Sequence, residues 1–285
     1  MTVSIIGVGL IGGSIGLAIK SKVGSRKSEI KIIGIGRNLK RLRVAKKLGA
    51  VDEITADVKE GVKDADVIFV CLPVGLIAET VKKIIPFCKE EAIITDVGSV
   101  KDPIVKEIER FLSAPYSRRT APCRFVGGHP IAGSEKTSVK YASKDLFKNA
   151  VVVLTPTNKT DKKSLDIVKK LWEKMKAKVK IMSPRRHDKI LSITSHLPHA
   201  VAFALVNSAD NFEFAGNGFK DTTRIASSDP EMWADIVFNN RINIRSAIKR
   251  IKFELEKIEK AKTKEDFAKI FRKAKKKRDY YVDKR

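Results

Sequence analysis

Residues 2–12 read Thr2-Val3-Ser4-Ile5-Ile6-Gly7-Val8-Gly9-Leu10-Ile11-Gly12, and this stretch decides the fold. The first five residues are short, largely apolar and β-branched, the pattern of a buried strand. Three glycines follow at once, at 7, 9 and 12, and then an apolar run to about residue 20 that reads as a helix. A strand, a GxGxxG turn and a helix in this order form a dinucleotide-binding turn. Gly7 makes the tight turn, Gly9 lets the backbone approach a pyrophosphate, and Gly12 lets the helix pack on the strand. The helix start at Leu10, Ile11 and Gly12 offers N–H groups without intrahelical acceptors, together with partial positive charge for the phosphates.

Further strands are expected at 31–35, 66–71, 92–95, 124–127, 150–154 and 179–182. Helices are expected at 39–48, 75–87, 99–112 and 162–176, with Ser99 as the N-cap of the third. This alternation predicts an α/β fold with a parallel sheet. From residue 184 onward apolar residues recur at helical spacing, and no strand pattern is visible. The expected organisation is a dinucleotide-binding domain of the Rossmann type at 1–182 and an all-helical domain at 183–285. Residues 113–123, with two prolines and two adjacent arginines, read as a surface loop.

The chain has 285 residues, enough for two domains, and 43% of them are hydrophobic, too many for a disordered chain. Three cysteines and no CxxC argue against a disulfide scaffold or a zinc site, so no metal is expected and a reducing cytoplasmic location is. The uncharged run 2–19 approaches the length of a membrane span. Its glycines, and the lack of a basic residue ahead of it, argue against a span or a signal peptide. Net charge is +25, which raises nucleic acid as a partner. Against that, aromatic residues are only 7%, the basic residues are dispersed, and no recognition motif appears. Neither a nucleic-acid nor a membrane partner is expected.

The end of the second strand bears on which dinucleotide binds. Sites for NAD usually place Asp or Glu there, on the ribose hydroxyls. Here the sequence is Gly34-Ile35-Gly36-Arg37-Asn38, so no carboxylate repels a 2′-phosphate and Arg37 can pair with one in bidentate fashion. The reading leans to NADP. NAD is the alternative, with Arg37 solvated and stacked on adenine.

Four more stretches are unusual: Asp96-Val97-Gly98-Ser99, Gly127-Gly128-His129-Pro130-Ile131-Ala132-Gly133-Ser134-Glu135, Ser195-His196-Leu197-Pro198-His199, and 218–233, reading GFKDTTRIASSDPEMW. Histidine between a glycine pair and a proline reads as a loop at a strand's C-terminal end, where open α/β sheets place ligands. Taken in order with the glycine turn, these motifs resemble the prephenate/arogenate dehydrogenase family over nearly the whole chain. The resemblance implies a dinucleotide-binding domain followed by a helical domain that builds a homodimer. It implies NAD(P)-dependent oxidative decarboxylation of prephenate to 4-hydroxyphenylpyruvate, of arogenate to tyrosine, or of both.

The resemblance also implies residue roles. His129 accepts the proton of the ring hydroxyl, and Ser99 hydrogen-bonds that hydroxyl or His129. Arg224 binds a substrate carboxylate and His199 reaches the substrate from the helical domain. Asp221 and Glu135 form an acidic pair that positions Arg224, and Trp233 packs nearby. His196 shares a helix face with His199 and reads as structural. His187, in Arg185-Arg186-His187-Asp188, reads as a surface residue at a helix start. Arg224 paired internally with Asp221 is the blander reading of that arginine. Family members can carry fused or regulatory domains; too few residues flank the two expected domains here for one, so a monofunctional enzyme is expected. Two other classes compete: another two-domain hydroxyacid dehydrogenase, which has no use for GGHPIAGSE, and a basic nucleic-acid-binding protein on a Rossmann scaffold.

Overall fold

The computed structural model describes residues 1–21, 30–114, 123–133, 136 and 138–283. Strand β1 (Thr2–Ile6) leads through the glycine turn into α1 (Leu10–Ser21), followed by β2 (Lys31–Ile35) and α2 (Leu39–Lys47). Then come β3 (Glu53–Thr55), α3 (Val58–Val62), β4 (Val67–Val70), α4 (Val74–Ile84), β5 (Ile93–Asp96), α5 (Asp102–Ser113) and β6 (Arg124–Val126). These six strands form one sheet in the order β3-β2-β1-β4-β5-β6, and every pairing is parallel. The order reverses between β1 and β4, so the glycine turn sits at the switch point where open α/β sheets bind ligands. Burial on both faces explains why β4 reads as an unbroken apolar run and β1 as a largely apolar one.

The short β3 and α3 were not expected from the sequence: three to five residues carry too little periodicity to register. A larger departure concerns the second sheet, in which β7 (Gly128–Ile131), β8 (Val151–Leu154) and β9 (Lys178–Ile181) lie in that order. Strand β7 pairs antiparallel with β8, matching His129 to Val153, so His129 belongs to a strand and not to the expected loop. Pro130 lacks an N–H, which an edge strand tolerates. Helix α6 (Lys162–Lys174) packs here through Trp172, which is fully buried with its ring edge-on to Phe69 and Phe147 at 5.8 and 5.1 Å.

After β9 the described chain is helical: α7 (Pro184–Leu191), a π-helical turn at Ser192–His196, α8 (Leu197–Asn207), α9 (Asn217–Thr223) and α10 (Pro230–Asn239). Residues 1–240 form one compact unit. Residues 241–285 form a second, built from α11 (Arg241–Glu259) and α12 (Lys264–Asp283). Thr263 and Asp266 cap α12 reciprocally, since each side chain accepts from the other's backbone N–H.

Replacing Trp172 by Ala should lower stability by about 3–5 kcal/mol, the usual cost of emptying a large aromatic site. Urea titration should show the midpoint falling at unchanged slope.

Candidate active site

Gly7 adopts φ +89°, open to glycine at little cost, and a Cβ there would lie 2.3 Å from the carbonyl oxygen of Cys71 at the end of β4. A Cβ on Gly12 would lie 2.4 Å from the Gly7 carbonyl and 2.9 Å from Ile5. Gly7 is therefore required by the close approach of the end of β4, and Gly12 by the close seating of α1 on β1, which aims the start of α1 across the switch point. Strand β7 brings a second group to this edge. Gly133, just beyond it, approaches Ile11: a Cβ there would lie 3.9 Å from the Ile11 side chain.

A buried polar cluster holds β5 and β7 together. Asp96 ends β5; its Oδ1 accepts from the Gly128 N–H at 3.1 Å and its Oδ2 from the Gly98 N–H at 2.9 Å. Lys101, fully buried, pairs with Asp96 and donates to the Gly128 carbonyl at 2.9 Å. Burial lowers the pKa of Lys101, and the Asp96 carboxylate opposes that shift. The next residue along β7 is His129, which is 8% exposed.

His129 Nδ1 lies 2.8 Å from His187 Nε2, and His187 Nδ1 lies 2.7 Å from Asp188 Oδ1. His187 is completely buried, not at the surface. The local sequence explains this. In α7 the buried residues are Pro184, His187, Asp188 and Leu191, an i, i+3, i+4, i+7 stripe, while the Arg185, Arg186 and Lys189 between them are exposed. That stripe was present in the sequence and would have found both residues.

Asp188 also corrects the expected role of Ser99. Helix α5 starts at Asp102, its N-cap position is Lys101, and no side-chain cap comes from that residue. Asp188 supplies it instead, accepting from the backbone N–H groups of Lys101 and Asp102 at 2.8 Å each. Ser99 is half-buried in the connection ahead of α5, beside His196. His196 is fully buried; its Nδ1 accepts from Asn240 Nδ2 at 3.0 Å, and its Nε2 lies without a well-formed hydrogen bond.

His199 stacks on Trp233 with centroids 3.5 Å apart and planes 19° from parallel. The pair lines an open groove of about 340 Å³ between α8 and α10, with Phe203, Asn207 and Val237. Arg224 is exposed at the start of the 3₁₀ turn that follows α9, close enough to His199 to depress its pKa after burial has done so. Asp221 is exposed one turn earlier and forms no ion pair with Arg224. Glu135, the other half of the expected acidic pair, lies outside the described residues, as does most of the 113–123 loop. Arg37 is exposed just past the end of β2, and Asn38 beside it caps α2.

The comparisons agree along the whole chain. Residues 15–181 match the model for the prephenate dehydrogenase nucleotide-binding domain, and residues 183–276 match that for the prephenate dehydrogenase dimerization domain. The chain belongs to the prephenate dehydrogenase family. It is accordingly an oxidoreductase. Prephenate dehydrogenase of Bacillus subtilis is 38% identical, covering 98% of this chain and 75% of that protein. Prephenate dehydrogenase of Aquifex aeolicus, solved with hydroxyphenyl propionate and NAD+, is 37% identical with a TM-score of 0.88, covering 100% of this chain and 98% of that one. Arogenate dehydrogenase of Synechocystis is 28% identical with a TM-score of 0.81, covering 99% and 100%. Within this family fold the structure brings together His129, Ser99 and His196 on one side and His199, Trp233 and Arg224 on the other. Asp96, Lys101, His187 and Asp188 join the first group without having been singled out as site residues.

Burial lowers the pKa of His129, His187 and His196, the last to about 4 from an ordinary 6.5. For His129 the neighbouring His187 and the Lys101 ammonium add to burial; for His187 the Asp188 carboxylate opposes it. All three are neutral in the folded state and become protonated on unfolding once the pH drops below about 6.5. Their neutrality therefore adds nothing to the pH dependence above 6.5, and stability falls as pH drops from there toward 4. His196 alone contributes on the order of 3 kcal/mol to that fall. Thermal melts from pH 8 to 4 should show Tm level above about 6.5 and dropping steeply below it; a level Tm down to pH 4.5 would contradict the buried neutral cluster.

Proposed function

We propose that this chain carries out the NAD(P)-dependent oxidative decarboxylation of prephenate, arogenate or both. The observation that carries the reading is His129: a buried, neutral imidazole on β7, the strand whose end at Gly133 approaches Ile11 of the glycine turn, in a chain of this family. Backbone at Gly7 and Gly9 and the start of α1 at Leu10, Ile11 and Gly12 fit a pyrophosphate, since the first N–H groups of α1 open at the switch point of the sheet. The nicotinamide bound there supplies the acceptor for hydride from the ring carbon that bears the hydroxyl.

The residues of this chain do the rest. His129, its pKa lowered by burial, is unprotonated at neutral pH and takes the hydroxyl proton as the ring carbon gives up hydride. Loss of the ring carboxylate as CO2 then yields an aromatic ring. Ser99 orients the same hydroxyl. Arg224, free of any pairing with Asp221, offers a planar fork to a substrate carboxylate, and the His199–Trp233 stack forms a flat wall beside it. Glu135 and Asp221 are proposed to set the position of Arg224. Gly36 and Arg37 leave the end of β2 without a carboxylate, which supports NADP over NAD. The helical residues 183–276 are proposed to form the homodimer, in keeping with the exposed apolar side chains Ile190, Ile193, Phe212 and Phe214. The two domains are proposed to divide at 182/183, and the enzyme to work in the cytoplasm.

Initial rates with both substrates against both cofactors test this directly. Turnover of neither substrate would sink the function, and a clear preference for NAD would sink the role of Arg37. His129→Asn is expected to lower kcat by about 100- to 10,000-fold with KM little changed. Arg224→Ala is expected to raise KM by about tenfold or more, the loss of a charge-assisted hydrogen bond. Arg37→Ser should shift the ratio of kcat/KM values toward NAD.

A further inference from the structure

The reading of His129 as the base leaves His187 and Asp188 unused, although both are buried and in line with it. We infer that His187 and Asp188 are positioning residues that hold His129 in the single tautomer with its proton on Nδ1 and its lone pair on Nε2. The inference rests on the proposed function above, and the hydrogen-bond chain dictates it.

The chain is read from its fixed end. Asp188 receives backbone N–H groups from Lys101 and Asp102, each at 2.8 Å, so neither carboxylate oxygen is free to turn away. A carboxylate only accepts. The nitrogen facing it at 2.7 Å, His187 Nδ1, must therefore donate. His187 is buried and neutral, so it has one ring proton, and that proton is spent on Asp188. Its Nε2 is left as an acceptor, 2.8 Å from His129 Nδ1. His129 Nδ1 must then carry the proton, and Nε2 of the same ring keeps the lone pair. The opposite arrangement would set two lone pairs against each other between His187 and Asp188.

The spacer histidine also has a chemical purpose. A carboxylate bonded directly to His129 would raise its pKa, against the lowering that burial gives. With His187 between them, the carboxylate fixes orientation without that pull. When the hydroxyl proton arrives at Nε2, the His129 cation donates to His187 more strongly, and the Asp188 carboxylate lies beyond it. The other charged or titratable groups packed around the chain are Lys101, Asp96 and His196. Lys101 is tied to Asp96 and the Gly128 carbonyl, and His196 to Asn240, so neither competes for His129 Nδ1.

The chain has only four histidines, which makes the test tractable. Long-range proton–nitrogen correlation spectra of the full-length protein at neutral pH identify the protonated ring nitrogen of each histidine. His129 and His187 are assigned by the signals lost in His129→Asn and His187→Gln. Both are expected to be protonated on Nδ1 alone. Protonation of His129 on Nε2, or on both nitrogens, would overturn the inference. In His187→Gln, kcat is expected to fall by about 10- to 1,000-fold with KM near wild type, and His129 to become a mixture of tautomers. A folded His187→Gln protein with wild-type kcat would also overturn it; if that variant does not fold, the wild-type spectrum alone decides. Absence of turnover by the wild type would remove the base assignment itself. Normal turnover with the wrong tautomer would remove only the positioning role.

Discussion

The buried ion pair between Lys101 and Asp96 is the contact on which the site depends. It joins the end of β5 to the first residue of β7 through the Gly128 N–H and carbonyl, both of which it binds. The six-stranded sheet and the three-stranded sheet meet there. His129 is the next residue, so its position is set by a charge pair that water does not reach. Burying two charges is costly unless each is fully hydrogen-bonded. Here Asp96 has backbone partners at Gly98 and Gly128, and Lys101 has the Gly128 carbonyl, so removing either partner would strand the other. A rigid anchor is what a base requires when its reacting nitrogen must meet one hydroxyl.

The helical segment that follows β9 is fastened to the sheet by the same kind of chemistry. Helix α5 has no side-chain cap of its own and takes one from Asp188 in α7. Helix α4 begins after Pro73, again without a side-chain cap, and the Gly75 N–H is met by Asp235 of α10 at 2.7 Å. In both places a carboxylate from a later helix sits on the positive end of an earlier one. The two fastenings flank the polar cluster, and this is how α7 brings His187 under His129 while α10 brings Trp233 against His199.

Much of this was legible in the sequence, and the parts that were not have physical reasons. The glycine turn is local: backbone conformation and close packing demand glycine at 7 and 12 whatever the rest of the chain does. The alternation of strands and helices through residue 182 is similarly local. Strand β7 was hidden because Gly128 and Pro130 have loop character, and only pairing with β8, more than twenty residues later, makes them a strand. Ser99 reads as a helix cap because serine does so often. The true cap comes from Asp188, 86 residues away from Asp102, and no local pattern reveals it. His187 is different: its buried stripe was visible, but the arginines beside it gave the segment a surface character.

The borrowed caps have a bearing on how the sequence can vary. Asp188 and Asp235 recognise backbone N–H groups, which every residue but proline offers. The first turns of α4 and α5 are thus free to drift in side-chain identity without weakening the attachment, whereas the two carboxylates that reach them have no such latitude. Without α7 and α10 the starts of α5 and α4 would lose these carboxylates, each cap worth about 1 kcal/mol. A relative's helices exchanged for α7 and α10 would keep both attachments only if they carried an acid at both places.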